Sequence, residues 1–214
     1  MIKLVDVVII LFGISLLNVT VSGRLEVSLK ILSLQGFLLF VAAVASLPAA
    51  DLLGLIVVAV ETLVFKTAVI PWYLRKVIRE NGLYRESEPR ISNFYSLVAG
   101  SALFLFGLIA AYWAAGSLSP IRPLHFGVSI STILVGIFII LNRKQLISHI
   151  VGYIILENGI FLLSLAAASV LPIVVELGIA LDIFVGVFIF GLLVKQIRFV
   201  FREQHVDRLT GLKG

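Results

Sequence analysis

The amino-acid sequence predicts an all-α polytopic membrane protein with about seven transmembrane helices, its N-terminus outside and its C-terminus in the cytoplasm. Three observations carry this. Hydrophobic residues make up 60% of the 214 and charged residues only 14%, with a mean hydropathy of +1.14, whereas about a quarter of a soluble domain is charged. The apolar residues gather into runs of about twenty, the length at which a rise of about 1.5 Å per residue crosses the roughly 30 Å of a bilayer's hydrocarbon. The basic residues fall almost wholly in the short connections of one side: fourteen of the seventeen Lys and Arg lie there, against Lys3 and Arg122 on the other, with Lys66 alone inside a span. That asymmetry sets the orientation. It also accounts for the net charge of +5 without a nucleic-acid partner.

The spans follow in order. The first covers about Leu4 to Ser22; its short basic start resembles a signal peptide, but the apolar run is too long and no A-x-A site follows. Span two, about Ile31 to Leu47, ends at Pro48-Ala49-Ala50-Asp51, where proline or aspartate can start the next helix. Span three, about Leu52 to Trp72, holds Glu61 and Lys66 in its interior, and a hydrophilic loop from Arg75 to Ser92 turns at Asn81-Gly82. Span four runs from about Ser96 to Ala115, Pro120 and Pro123 break the chain, and span five covers about Leu124 to Leu141. Arg143-Lys144 precedes span six, about Ile147 to Val170, and Pro172 opens span seven. All six prolines thus fall at expected span ends or in loops.

The expected organisation is a three-helix membrane half with its cytoplasmic loop (1–95), two connecting spans (96–147), and a helical hairpin with a tail (148–214). Aligning Leu34-Gln35 with Leu156-Glu157 brings Glu61 within one residue of Asp182, the pattern of a parallel repeat of spans one to three in five to seven. The tail from Lys195 to Leu209 mixes basic and apolar residues, which suits an anchor at the lipid headgroups or a docking helix for a cytoplasmic partner.

Chemistry is constrained by what is missing. The chain has no cysteine, which excludes disulfides, thiolate-held clusters and thiol catalysis. No nucleotide loop, zinc spacing or nucleophile motif occurs, so no cofactor or metal is expected in this chain. What remains is charge in the membrane. Glu157 and Asp182 stand near the middles of spans six and seven, where an acidic residue costs about 2.5 to 3.5 kcal/mol and usually faces a protein interior or a hydrated path. They read either as groups that hold and release protons or as neutral acids bonding helix to helix.

Glu61 and Lys66 are five residues apart, which on an α-helix is about 140° of rotation and about 7.5 Å of rise. On that geometry they do not stack, and each is expected to face a different partner or a hydrated seam. A Glu/Lys set at one depth can pass charge by changing which member is ionised; the other reading is a structural ion pair brought together by rotamers. Glu176, one turn into span seven and about 240° around the helix from Asp182, is either an exit group or a complement to the helix dipole. Asp6 and His125 near outer span ends, and His149 near an inner one, are expected to be solvated or anchoring groups.

The segments Tyr153–Ala166 (YIILENGIFLLSLA) and Val174–Val194 (VVELGIALDIFVGVFIFGLLV) closely resemble the membrane component E of hydrogenase-4-type complexes. The last three spans are also similar to the small three-helix subunit that complex I shares with Mrp antiporters. The resemblance is strongest over about Ser148 to Arg198. In the three-helix relatives an acidic residue in the second helix and another in the third line a hydrated lateral path, and those positions match Glu157 and Asp182; the relatives commonly have glutamate at the second. The resemblance implies a non-catalytic membrane subunit of a group 4 nickel-iron hydrogenase or a related redox-driven proton or sodium pump in the cell membrane. Its partners would be antiporter-like membrane subunits and a cytoplasmic redox arm bearing iron–sulfur clusters and a nickel-iron site. Glu157, Asp182, Glu61, Lys66 and Glu176 would be the proton-transfer groups. Two other classes fit the same composition: a self-contained secondary transporter, and a structural scaffold whose carboxylates only pack helices.

Overall fold

The computed structural model describes residues 4–46, 52–80, 90–115 and 122–167, and all regular structure among them is helical. In chain order come α1 (Leu4–Val21), α2 (Leu25–Val44), α3 (Leu52–Ala59), a π-helical segment (Val60–Val69), α4 (Ile70–Glu80), α5 (Asn93–Ala115), α6 (Pro123–Asn142) and α7 (Leu146–Ala167). Among the described residues five helices, α1, α2, α5, α6 and α7, are long and apolar enough to cross a membrane. The continuous run α3–π–α4 occupies the place of the third expected span. Span seven, with Glu176 and Asp182, and the basic tail lie outside the described residues.

Polarity does not separate the inside of this bundle from the outside. On α1, Val5, Ile9, Phe12, Leu16 and Val19 are buried while Leu4, Val7, Leu11 and Ile14 are exposed, so the helix is apolar all round, as a membrane helix is. With no hydrophobic force acting between helices in lipid, close packing holds them. α6 packs most extensively against α7 and next against α5; α1 touches α2, α5 and α6, and α2 lies against the π segment and α7. The α6–α7 contact depends on Gly136, where a Cβ would stand 2.7 Å from the backbone nitrogen of Leu156. α5 is the outermost of the five. Its exposed Phe94 and Tyr95 at one end and Tyr112 and Trp113 at the other are about 27 Å apart along the axis, the spacing of two aromatic belts.

Several expected boundaries shift. α2 begins at Leu25 rather than Ile31, because Ser22–Arg24 suffices to reverse the chain, Ser22 Oγ donating to the carbonyl of Arg24 at 3.1 Å; Lys30 is therefore on a helix and not in a loop. The expected loop from Arg75 begins later, since α4 continues to Glu80. Leu74, Val77 and Ile78 are buried there at the spacing of one helix face. Pro71 was expected at a span end, yet it lies inside the continuous run from Leu52 to Glu80, two residues past the end of the π segment. Its ring crowds the carbonyl four residues back and it has no N–H to donate, so an ideal α-ladder is interrupted where the wider helix ends.

Candidate functional site: a buried lysine between two glutamates

The π segment sets the geometry. Its hydrogen bonds span five residues instead of four; the N–H of Ile70 donates to the carbonyl of Phe65, and Thr67 Oγ1 reaches the carbonyl of Thr62 at 2.8 Å. Residues five apart therefore come to one face. Glu61 and Lys66 do pair, with Lys66 Nζ 3.1 Å from Glu61 Oε1. The expectation that they point apart is corrected for that reason: it assumed 100° per residue, and the helix here turns less.

Lys66 is 3% exposed, a burial a lysine tolerates only with compensating charge. The second compensation comes from α7. Glu157 Oε1 is 3.2 Å from the same Nζ, with its side chain 5% exposed against 29% for Glu61. The ammonium also lies 4.9 Å from the ring centre of Phe161, one turn on from Glu157 and within cation–π range. The set is central: Glu157 is the twelfth of the 22 residues of α7. Gly36 of α2 lets the π segment come close, since a Cβ there would be 2.9 Å from the carbonyl carbon of Lys66.

Two carboxylates facing one ammonium carry a net charge of −1 when all three are ionised. One added proton makes the set neutral. Such a set can accept and release one proton without leaving a large charge in a low-dielectric interior. Among the described residues no group of three or more His, Cys, Asp or Glu is placed to hold a metal ion.

A polar line continues beside it. Asn158, next to Glu157, donates from Nδ2 to Gln35 Oε1 at 3.3 Å, and Gln35 Nε2 donates to Ser15 Oγ at 3.0 Å. Gln35 and Asn158 are fully buried, so three helices exchange hydrogen bonds at the depth of the ion pairs. These residues were missed in the sequence, although an amide in the middle of an apolar run is itself a signal. Asp182 and Glu176 cannot be placed relative to the set, because they lie outside the described residues.

Two further expectations change. Of the two readings of His125, solvated or anchoring, the first falls: it is buried, with Nε2 3.0 Å from Asp6 Oδ1, a contact that ties α6 to α1. Arg143 is not merely a topological marker. It is 3% exposed and its guanidinium donates to the carbonyls of Thr20 and Ser22, both at 3.1 Å, capping the end of α1. His149 Nε2 lies 2.9 Å from the Arg143 carbonyl, so it braces this connection.

Comparison with known proteins gives partial likenesses. No family model matches the chain, and no solved structure matches it. It is 28% identical over 170 residues to the "Uncharacterized protein Rv0085" of Mycobacterium tuberculosis (strain ATCC 25618 / H37Rv), covering 75% of this chain and 73% of that protein. It is 33% identical over 87 residues to hydrogenase-4 component E of Escherichia coli (strain K12), and equally to that of Shigella flexneri. That second match takes in 41% of this chain and spans 40% of the component's length. The chain is thus a helical membrane protein similar over part of its length to a hydrogenase component.

Proposed function

We propose that this chain is a membrane subunit of a hydrogenase-like complex and that the Lys66-centred set carries protons for it. The observation that supports the reading most is one buried ammonium held between two carboxylates from separate helices, at 3.1 and 3.2 Å, near the middle of an apolar bundle. A scaffold gains little from such an arrangement, because a buried ion pair is often no more stable than apolar residues of the same volume. The partial likeness to hydrogenase-4 component E supplies the context: redox chemistry in other chains, ion movement here. In this reading Glu157 takes up a proton, Lys66 shifts its attraction toward Glu61, and release restores the starting charge. Asp182 and Glu176 continue the path in the seventh span. The partners are antiporter-like membrane subunits and a cytoplasmic arm with iron–sulfur clusters and a nickel-iron site. The basic tail and loops face the cytoplasm, and the N-terminus lies outside.

A self-contained secondary carrier is favoured by one observation: the π segment and Pro71 interrupt a central helix, as discontinuous helices do at transporter sites. Glu157→Gln decides whether an ionisable group is needed. The amide keeps size and hydrogen-bonding capacity but cannot pass a proton. In the intact complex in vesicles, the variant should assemble, keep its redox activity and lose most proton translocation per electron. Full pumping by E157Q would leave the set as a structural tie, and ion-driven uptake by the isolated chain would favour the carrier.

A further inference from the structure

α6 carries a row of polar residues with almost no exposure. His125, Ser129 and Thr132 follow the spacing i, i+4, i+7, so they share one face over about 10 Å of helix. Ser129 and Thr132 donate to carbonyls of their own helix, Phe126 at 2.7 Å and Val128 at 2.6 Å, which leaves their oxygens free to accept. At one end of the row stands the Asp6–His125 pair, 3.0 Å across α1 and α6. At the other, Thr132 lies against Gly159, where a Cβ would be 3.0 Å from its own. Gly159 follows Asn158, which leads through Gln35 to Ser15. Beside Gly159, Asn158 Oδ1 is a buried acceptor with no hydrogen-bond partner among the described residues, and so is Glu157 Oε2 on the side of α7 that meets the π segment; in a native interior such atoms call for water or a proton.

We infer that this row is a narrow water path from the Lys66-centred set to the membrane face where α1 and α6 begin, and that the Asp6–His125 pair closes its mouth. The inference rests on the proton-carrying reading for its use, not for its existence. The species carried is the proton. Released from the carboxyl of Glu157, it enters beside Asn158 as hydronium and passes between waters held by Thr132 and Ser129. At the mouth the His125 ring takes a proton on one nitrogen and gives one up from the other.

The chain has no cysteine, so an introduced one is its sole thiol. Thr132→Cys and Ser129→Cys are placed singly in the full chain, and silver ion is added to sealed membranes from the face where α1 begins. After denaturation the remaining thiol is counted with a maleimide dye. Both cysteines should be protected by silver, while Ile109→Cys on the exposed side of α5 gives the lipid-facing background. Adding Asp6→Asn or His125→Ala should raise the rate about tenfold, as expected when a closed state that leaves about a tenth of the molecules open is removed. Asp6→Asn keeps the side-chain size and carries the test if His125→Ala does not accumulate. Labelling of T132C no faster than I109C with and without D6N, or only from the opposite face, overturns the path. Pumping does not enter this measurement, so an open path with normal pumping by E157Q would remove the relay alone, and a closed path with loss of pumping the path alone.

Discussion

Replacing Lys66 by Met removes the ammonium and keeps nearly the volume, which makes it the sharpest probe of the ion pairs. At an effective dielectric of about 20, unit charges at the observed 3.2 Å attract by about 5 kcal/mol, and the partner on Glu61, at 3.1 Å but more exposed, adds less. Desolvation of the lysine offsets much of this when the pair forms, but not when one member is deleted, because Glu157 then stays buried without its counter-charge. Breaking a buried pair in this way costs about 3–5 kcal/mol. The double variant K66M/E157Q removes the stranded charge and should recover most of that loss. Equilibrium unfolding of the purified full chain in mild detergent measures all three variants. Stability of K66M within about 0.5 kcal/mol of the parent, the range of an ordinary surface change, would refute the pairing. So would strictly additive effects in the double variant, since residues in contact couple by about 0.5–3 kcal/mol.

Gly36→Ala should lower stability by about 1–3 kcal/mol, the cost of overpacking, because its Cβ meets backbone atoms of Lys66 and Thr67 at 2.9 Å; Gly23→Ala, whose nearest neighbour is 4.0 Å away, should be near neutral in the same unfolding assay. Arg143→Met should destabilise by about 1.5–3 kcal/mol, the worth of a hydrogen bond from a charged group, and hydrogen exchange should show the end of α1 fraying. Asn158→Ala should weaken proton translocation by displacing Gln35 and Glu157, and Asn158→Asp should not restore it, since a carboxylate cannot donate to Gln35 as the amide does. A tag placed between Pro120 and Pro123 should be labelled from outside and a reporter after Gly214 should be cytoplasmic; both on one side would contradict an odd number of spans.

Glu157 was legible because a carboxylate in a long apolar run stands out against its surroundings, and α7 places it at the centre of its helix. The pairing of Glu61 with Lys66 was not. It depends on residues per turn, which a sequence reveals through hydrophobic periodicity, and a helix apolar on every side has no periodicity to read. The same lack of contrast hid the start of α2 and the inward turn of His125. Histidine and aspartate 119 residues apart meet only because α1 and α6 run side by side, a fact of packing that no local pattern encodes. Arg143 was read by its charge alone, and charge correctly suggested a connection between spans; its burial follows from the carbonyls that α1 leaves open at its end.

The π segment also gives the run from α3 to α4 a seam where the hydrogen-bond span changes from four residues to five and back. Every residue that reverts from five-residue to four-residue hydrogen bonding winds the helix tighter and turns all that follows relative to what precedes. A shift of the wide turn by a few positions would swing Lys66 off the axis it shares with Glu61 while leaving α3 seated. α4 continues from this seam with Lys76, Arg79 and Glu80 exposed, so a turn there would move charged side chains ten or more residues of backbone beyond the ammonium.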